Sequence, residues 1–62
     1  MCLSKVYDIR DDGEKLVFEY VTDISLDNGV ITLTDITGAE MVINGVLKSI
    51  DLAGNIIKII GR

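Results

Sequence analysis

The 62-residue chain has no histidine, no proline and no tryptophan, a single cysteine, and only three aromatic side chains, Tyr7, Phe18 and Tyr20. Without histidine, the side chain that most often serves as general base near neutral pH is missing. No serine has an obvious base beside it, and no glycine-rich run could cradle a phosphate. Asp11 and Asp12 are adjacent carboxylates, but they flank Gly13 in a turn, where aspartate is favoured for its local hydrogen bonds. Asp23, Asp27, Asp35, Glu40 and Asp51 are spread over turns and strand ends, without the alternating spacing of a calcium loop. The chain does not read as an enzyme. One cysteine per chain also excludes an internal disulfide and a tetrahedral thiolate site built by one copy alone.

Long hydrophobic runs are absent too. No window approaches the length of a membrane-spanning helix. The first ten residues carry Lys5, Asp8 and Arg10 where a signal peptide needs an unbroken apolar region. A cytoplasmic protein is expected, and an unpaired cysteine suits such a reducing compartment. Six basic against ten acidic residues give a net charge of −4, and the basic ones are scattered. This works against binding a phosphate backbone, which depends on clustered Lys and Arg.

What is present is apolar and β-branched: 48% of residues are hydrophobic, a proportion that folds. The length indicates a single domain, residues 1–62, near the size where only about 60% of the unfolded surface can be buried. Such a core is usually supplemented, and with one cysteine and no proline to stiffen loops, oligomerisation is the expected supplement. A homodimer is therefore predicted.

No segment has helical periodicity, since apolar residues recur at period two. Strands are predicted at Leu3 to Arg10, Lys15 to Tyr20, Thr22 to Leu26, Val30 to Asp35, Glu40 to Asn44, Val46 to Leu52 and Ile56 to Ile60. The turns between them carry Asp12-Gly13, Asn28-Gly29, Thr37-Gly38 and Ala53-Gly54-Asn55, of which Asn28-Gly29 is the strongest hairpin signal. Gly45, between two strand patterns, marks a bulge or sharp bend that lets a short sheet curl. The fold class is all-β, a small antiparallel barrel of five to seven short strands, with closure removing exposed edges. Phe18, Ile24, Leu26, Ile31, Leu33, Val42, Ile50, Ile57 and Ile59 keep one phase of the alternation within their runs and are the predicted core. Ile56 to Ile60 is apolar on both faces apart from Lys58. Its outer face is either partly covered by the first strand or a subunit interface.

Cys2 is the residue with the most distinctive chemistry. A thiolate next to the chain start, with the α-amine or the Cys2 amide nitrogen beside it, makes a compact mixed sulfur and nitrogen chelate. Removal of Met1 would bring the Cys2 α-amine into a five-membered ring; with Met1 retained, the amide nitrogen is the nearer donor. Two copies would supply four donors, and a planar set of this kind suits nickel(II) or copper(II) better than zinc. The metal itself would displace the thiol proton. Two other readings stand beside this one. Small β-barrels also present strand faces to single-stranded RNA, although here aromatics are few and the charge is negative. The third reading is a structural or interaction protein with an incidental cysteine.

The opening Met1-Cys2-Leu3-Ser4-Lys5-Val6-Tyr7 resembles that of the CooT family, small nickel-binding accessory proteins of carbon monoxide dehydrogenase. The likeness continues through Gly13-Glu14, Leu33-Thr34-Asp35-Ile36-Thr37-Gly38, Gly45-Val46 and Ile50-Asp51-Leu52 before Asn55. Its specific part is Met1-Cys2 together with the Leu-Thr-Asp segment. The resemblance implies an SH3-like barrel, a homodimer, and one nickel(II) shared near the dimer axis through Cys2. It implies a metallochaperone that aids nickel insertion into carbon monoxide dehydrogenase or another nickel enzyme.

Overall fold

A computed structural model describes residues 3–62, an all-β chain with no helix among them. Five strands, β1 (Ser4–Arg10), β2 (Gly13–Asp27), β3 (Val30–Asp35), β4 (Glu40–Asp51) and β5 (Ile56–Gly61), close into a barrel in chain order. Each consecutive pair is antiparallel. The closing pair, β1 with β5, is parallel, with Lys5 opposite Ile56 and Asp8 opposite Ile59. This follows from the odd strand number: alternating directions leave the first and fifth strands pointing the same way.

Seven predicted strand runs become five because two pairs of runs are continuous. β2 spans the predicted second and third strands, pairing with β1 as far as Val21 and with β3 from Val21 onward. At the changeover Tyr20 takes a positive φ of 58°, an outlier for a bulky residue, and its carbonyl accepts a hydrogen bond from the Ile36 N–H at 2.9 Å. β4 makes the same exchange at Gly45: Asn44 lies opposite Val30 of β3, and Gly45 opposite Gly61 of β5. Backbone conformation does not require glycine there. Space does, because a Cβ would strike the carbonyl oxygen of Ile60 and lie 3.0 Å from the Gly61 Cα. The Gly45 N–H donates to the Gly29 carbonyl at 2.9 Å, binding the bend to the β2–β3 hairpin. That hairpin has the expected turn, with positive φ at Asn28 (50°) and Gly29 (78°).

The core consists of Val6, Val21, Ile31, Leu33, Ile57 and Ile59, with Val17, Phe18, Ile24, Ile43 and Leu47 packed against it. Ile31, Leu33, Ile57 and Ile59 were expected there. Phe18 and Ile24 are half-buried. Leu26, Val42 and Ile50 are not core residues, at 54%, 63% and 47% exposed. Val42 lies on the wrong face: it pairs with Thr32, whereas Met41 and Ile43 pair with the buried Leu33 and Ile31. The run Met41-Val42-Ile43 is apolar throughout, so its alternation carries no phase. Leu26 and Ile50 pair with the buried Ile31 and Ile57 but sit near the strand ends, where the barrel opens. A register shift between Leu47 and Ser49 also reverses the phase within β4, so Leu47 and Ile50 both pair with buried residues. Val6 and Val21 were missed because the first occurs once in a polar strand and the second at a bend.

Ile57 and Ile59 face inward on β5, while Ile56 and Lys58 are half-buried and Ile60 is 37% exposed. Pairing with β1 on one side and β4 on the other places β5 within the sheet. Lys58 reaches across to Glu14 at 2.9 Å, so the outer face of this apolar strand carries an ion pair.

Two substitutions test the architecture. Leu33→Asp places a charge at a fully buried position and abolishes the cooperative thermal melt followed by circular dichroism. Gly45→Ala forces β4 away from β5 and costs about 2 to 3 kcal/mol in urea unfolding, because the obstructing atoms are backbone and cannot rotate aside.

Candidate functional site

The two ends of the barrel differ in chemistry. At one end β1 begins. The Lys5 N–H donates to the Asn55 carbonyl at 3.0 Å, and Ser4 lies opposite Val21, so the beginning of β1 is held between the β4–β5 turn and the bend of β2. An open cleft of about 450 Å³ lies here. Val21, Ile24, Ile50, Leu52 and Ile57 give it an apolar lining, and Ser4, Thr22, Asp23 and Asn55 contribute polar groups. Leu52 on its edge is 82% exposed, the most exposed large apolar side chain among the described residues. The turn carrying it is ordered by Asp51, whose Oδ1 accepts hydrogen bonds from the backbone N–H groups of Ala53 at 3.1 Å and Gly54 at 3.0 Å.

Cys2 and Met1, the predicted metal ligands, lie outside the described residues. Cys2 precedes Ser4 by two positions in the chain. Among the described residues no three Asp, Glu, Cys or His side chains gather where they could hold a metal ion.

The far end holds the buried ionisable group that sequence reasoning missed. Asp8, 4% exposed, accepts a hydrogen bond from the Gly61 N–H at 3.1 Å and pairs through its other oxygen with Arg10 at 2.6 Å. Both oxygens are engaged, so this carboxylate clamps β1 to the end of β5. The signal was available: Asp8 shares the inward phase of β1 with Val6, and Arg10 follows two residues later. A charge on the core side of a strand requires a partner.

The Leu33-Thr34-Asp35-Ile36-Thr37-Gly38 segment also proves to be structural. Asp35 Oδ1 accepts hydrogen bonds from the Thr37 hydroxyl at 2.6 Å, the Thr37 N–H at 2.8 Å and the Ala39 N–H at 3.0 Å. Its carbonyl accepts from the Gly38 N–H at 3.0 Å. The Thr37 hydroxyl is the main cause of an Asp35 carboxyl held below its ordinary value of 3.8; partial desolvation opposes this, and the backbone donors at Thr37, Ala39 and Gly38 assist. The aspartate fixes the β3–β4 turn.

Of the three aromatic residues, Phe18 packs on the core, Tyr7 is half-buried on β1, and Tyr20, at the bend of β2, is 57% exposed. Two cations are committed to carboxylates, Arg10 to Asp8 and Lys58 to Glu14. No helix is long and apolar enough to cross a membrane among the described residues.

Comparison with known proteins gives a consistent picture. The model of a family described as CO dehydrogenase accessory protein CooT matches residues 1–60. A solved crystal structure from Carboxydothermus hydrogenoformans, provisionally named CooT, superposes with a TM-score of 0.88. It is 23% identical, with 98% of each chain covered, and so shares the fold. No curated protein matches the chain.

Two measurements check the roles assigned to the carboxylates. Asp8→Ala leaves the Gly61 N–H without its acceptor and costs about 1 to 3 kcal/mol in urea unfolding, while Asp8→Asn, which keeps an acceptor, costs less. Asp35 has a lowered value in the folded state, so its stabilising contribution is present above the ordinary value of 3.8 and is lost as pH falls through the lower folded value. The melting temperature of Asp35→Ala should therefore lie below that of the parent near neutral pH, with the gap narrowing in acid.

Proposed function

This chain belongs to the CooT family of CO dehydrogenase accessory proteins, and we propose that it is a nickel(II) carrier that binds one ion per homodimer through Cys2. The observation that carries the reading is the extent of the family match, which begins at residue 1 and so takes in the only thiol of the chain. The absence of any three-carboxylate or mixed cluster among the described residues supports the same assignment. Nickel is cargo here and not a resident cofactor, and the protein is an accessory factor without catalytic activity of its own.

Four donors are needed for a planar nickel(II) site, and one chain start supplies two: the Cys2 thiolate and a nitrogen, either the Cys2 amide with Met1 retained or the Cys2 α-amine once Met1 is removed. A homodimer completes the set. Each chelating end contributes affinity only while its partner end is held nearby, so two ends act together at high effective concentration. Opening one end exposes the ion to an incoming thiol of carbon monoxide dehydrogenase or another nickel enzyme. The cytoplasm, where thiols stay reduced, is the compartment in which this chemistry works.

RNA binding is the second reading in principle, but no specific observation favours it. The net charge is −4, and two of the six cations are already paired.

Titration with nickel(II) tests the proposal. Saturation at about one ion per two chains, sulfur-to-metal charge-transfer bands and a diamagnetic signal are expected of a planar d⁸ ion. Cys2→Ser should lose the bands and keep the parent's melting curve. Undiminished nickel binding by Cys2→Ser would rule the site out, whereas a salt-sensitive RNA gel shift independent of Cys2 would favour the second reading.

A further inference from the structure

We infer that the fold sorts two chemically identical Asn-Gly-Val triplets, leaving Asn28 as a site of deamidation and isoaspartyl formation while shielding Asn44. The chain has three asparagines, Asn28, Asn44 and Asn55, and no glutamine. Asn28-Gly29-Val30 and Asn44-Gly45-Val46 share the residues that follow the amide, whereas Asn55 precedes Ile56. Loss of a side-chain amide begins when the backbone nitrogen of the next residue attacks the asparagine Cγ. Glycine, with no Cβ, leaves that nitrogen open to approach, and a branched isoleucine crowds it.

The reaction balances with water as the only co-reactant. The Gly29 nitrogen forms a bond to Asn28 Cγ, the bond from Cγ to the side-chain nitrogen breaks, and ammonia leaves carrying the Gly29 amide proton. A succinimide ring remains. Water then opens the ring at either carbonyl. Attack at the backbone carbonyl carbon leaves an isoaspartate, whose main chain runs through Cβ and Cγ, and attack at Cγ leaves an ordinary aspartate.

Which triplet can react is decided by the fold. At the tip of the β2–β3 hairpin Asn28 and Gly29 are both exposed, and the Gly29 N–H is in no backbone hydrogen bond of the turn. The attacking nitrogen is unencumbered there. Asn44-Gly45, by contrast, lies inside β4. Gly45 is buried, its N–H is committed to the Gly29 carbonyl at 2.9 Å, and the Asn44 carbonyl accepts from the Arg62 N–H at 2.7 Å. Asn44 is also paired with Val30, and Gly45 with Gly61. Attack by the Gly45 nitrogen requires these contacts to open together, so its rate is scaled down by the small fraction of molecules in which this part of β4 is detached.

The isoaspartyl product changes the structure around it. A two-residue hairpin loop sets the register of its strands, and an isoaspartate at position 28 adds one atom to the main chain of that loop. The Gly29 carbonyl, acceptor for the Gly45 N–H, follows directly after the added atom, so the tie between the hairpin and the bend of β4 is loosened. An ordinary aspartate at 28 keeps the loop length and the tie.

The test incubates the parent protein at mildly alkaline pH, folded and in urea, and follows each asparagine by fragment-ion mass spectrometry, conversion adding about one dalton. In urea, where only the local sequence counts, Asn28 and Asn44 should convert at similar rates. In the folded protein Asn28 should convert at least about tenfold faster than Asn44, because an amide held in a strand reacts only in the opened fraction. The folded Asn28→Asp variant should gain almost no mass. Purified isoaspartyl protein should melt below Asn28→Asp, which carries the same charge on an ordinary backbone. Equal rates at the two sites in the folded protein would overturn the sorting, as would an Asn28 that is inert when folded while both sites convert in urea. An isoaspartyl protein that melts together with Asn28→Asp would overturn the loosening of the hairpin.

Discussion

The parallel pairing of β1 with β5 is the contact on which the rest of the molecule depends. Four antiparallel hairpin-type pairings can form between neighbours in sequence, but the fifth joins residues about fifty positions apart and converts an open sheet into a barrel. Val6, Ile57 and Ile59 lie along this seam and are among the most buried residues in the chain. Asp8 locks its far end by accepting from Gly61, and the Lys5 N–H locks the near end on Asn55. Without closure, a chain of this size would expose both edges of a small sheet and have too little interior to exclude water.

Closure in turn demands the two bends. A short sheet can return on itself only if long strands change partners, and β2 and β4 do so at Tyr20–Val21 and at Gly45. The two bends use different means. Tyr20 adopts a backbone conformation that a bulky residue rarely takes, held by the hydrogen bond from Ile36. Gly45 keeps an ordinary conformation and instead gives up its side chain, because the β5 backbone occupies the space. A glycine visible in sequence thus marked a real bend for a reason other than positive φ.

The same closure also sets the chemistry of the two barrel ends. Ser4, the first residue of β1, lies opposite Val21 at one end of the barrel and lines the cleft next to Leu52. The one buried carboxylate among the described residues, Asp8, is kept at the opposite end, where it pairs with the exposed Arg10. The Asp8 clamp and the cleft lined by Val21, Ile24, Ile50 and Ile57 are therefore separated along the barrel. The Leu-Thr-Asp segment, equally prominent in sequence, serves the β3–β4 turn instead, through three hydrogen bonds to one carboxylate oxygen.

Local chemistry was enough to determine the strand content, the hairpin at Asn28-Gly29, the bend at Gly45 and the status of Cys2 as the only thiol, since each depends on residue type and on neighbours a few positions away. The resemblance of the first seven residues likewise pointed to the family that residues 1–60 match. Tertiary structure decided which apolar residues are core. Met41, Val42 and Ile43 are alike in hydrophobicity, and only pairing with β3 assigns Val42 to solvent and its neighbours to the interior. It also decided that Asp8 is a clamp, because its partner Gly61 is 53 residues away and no local pattern announces such a contact. Leu26 and Ile50 follow the same logic: alternation sets the direction a side chain points, while burial depends on whether the closed barrel extends far enough to cover it.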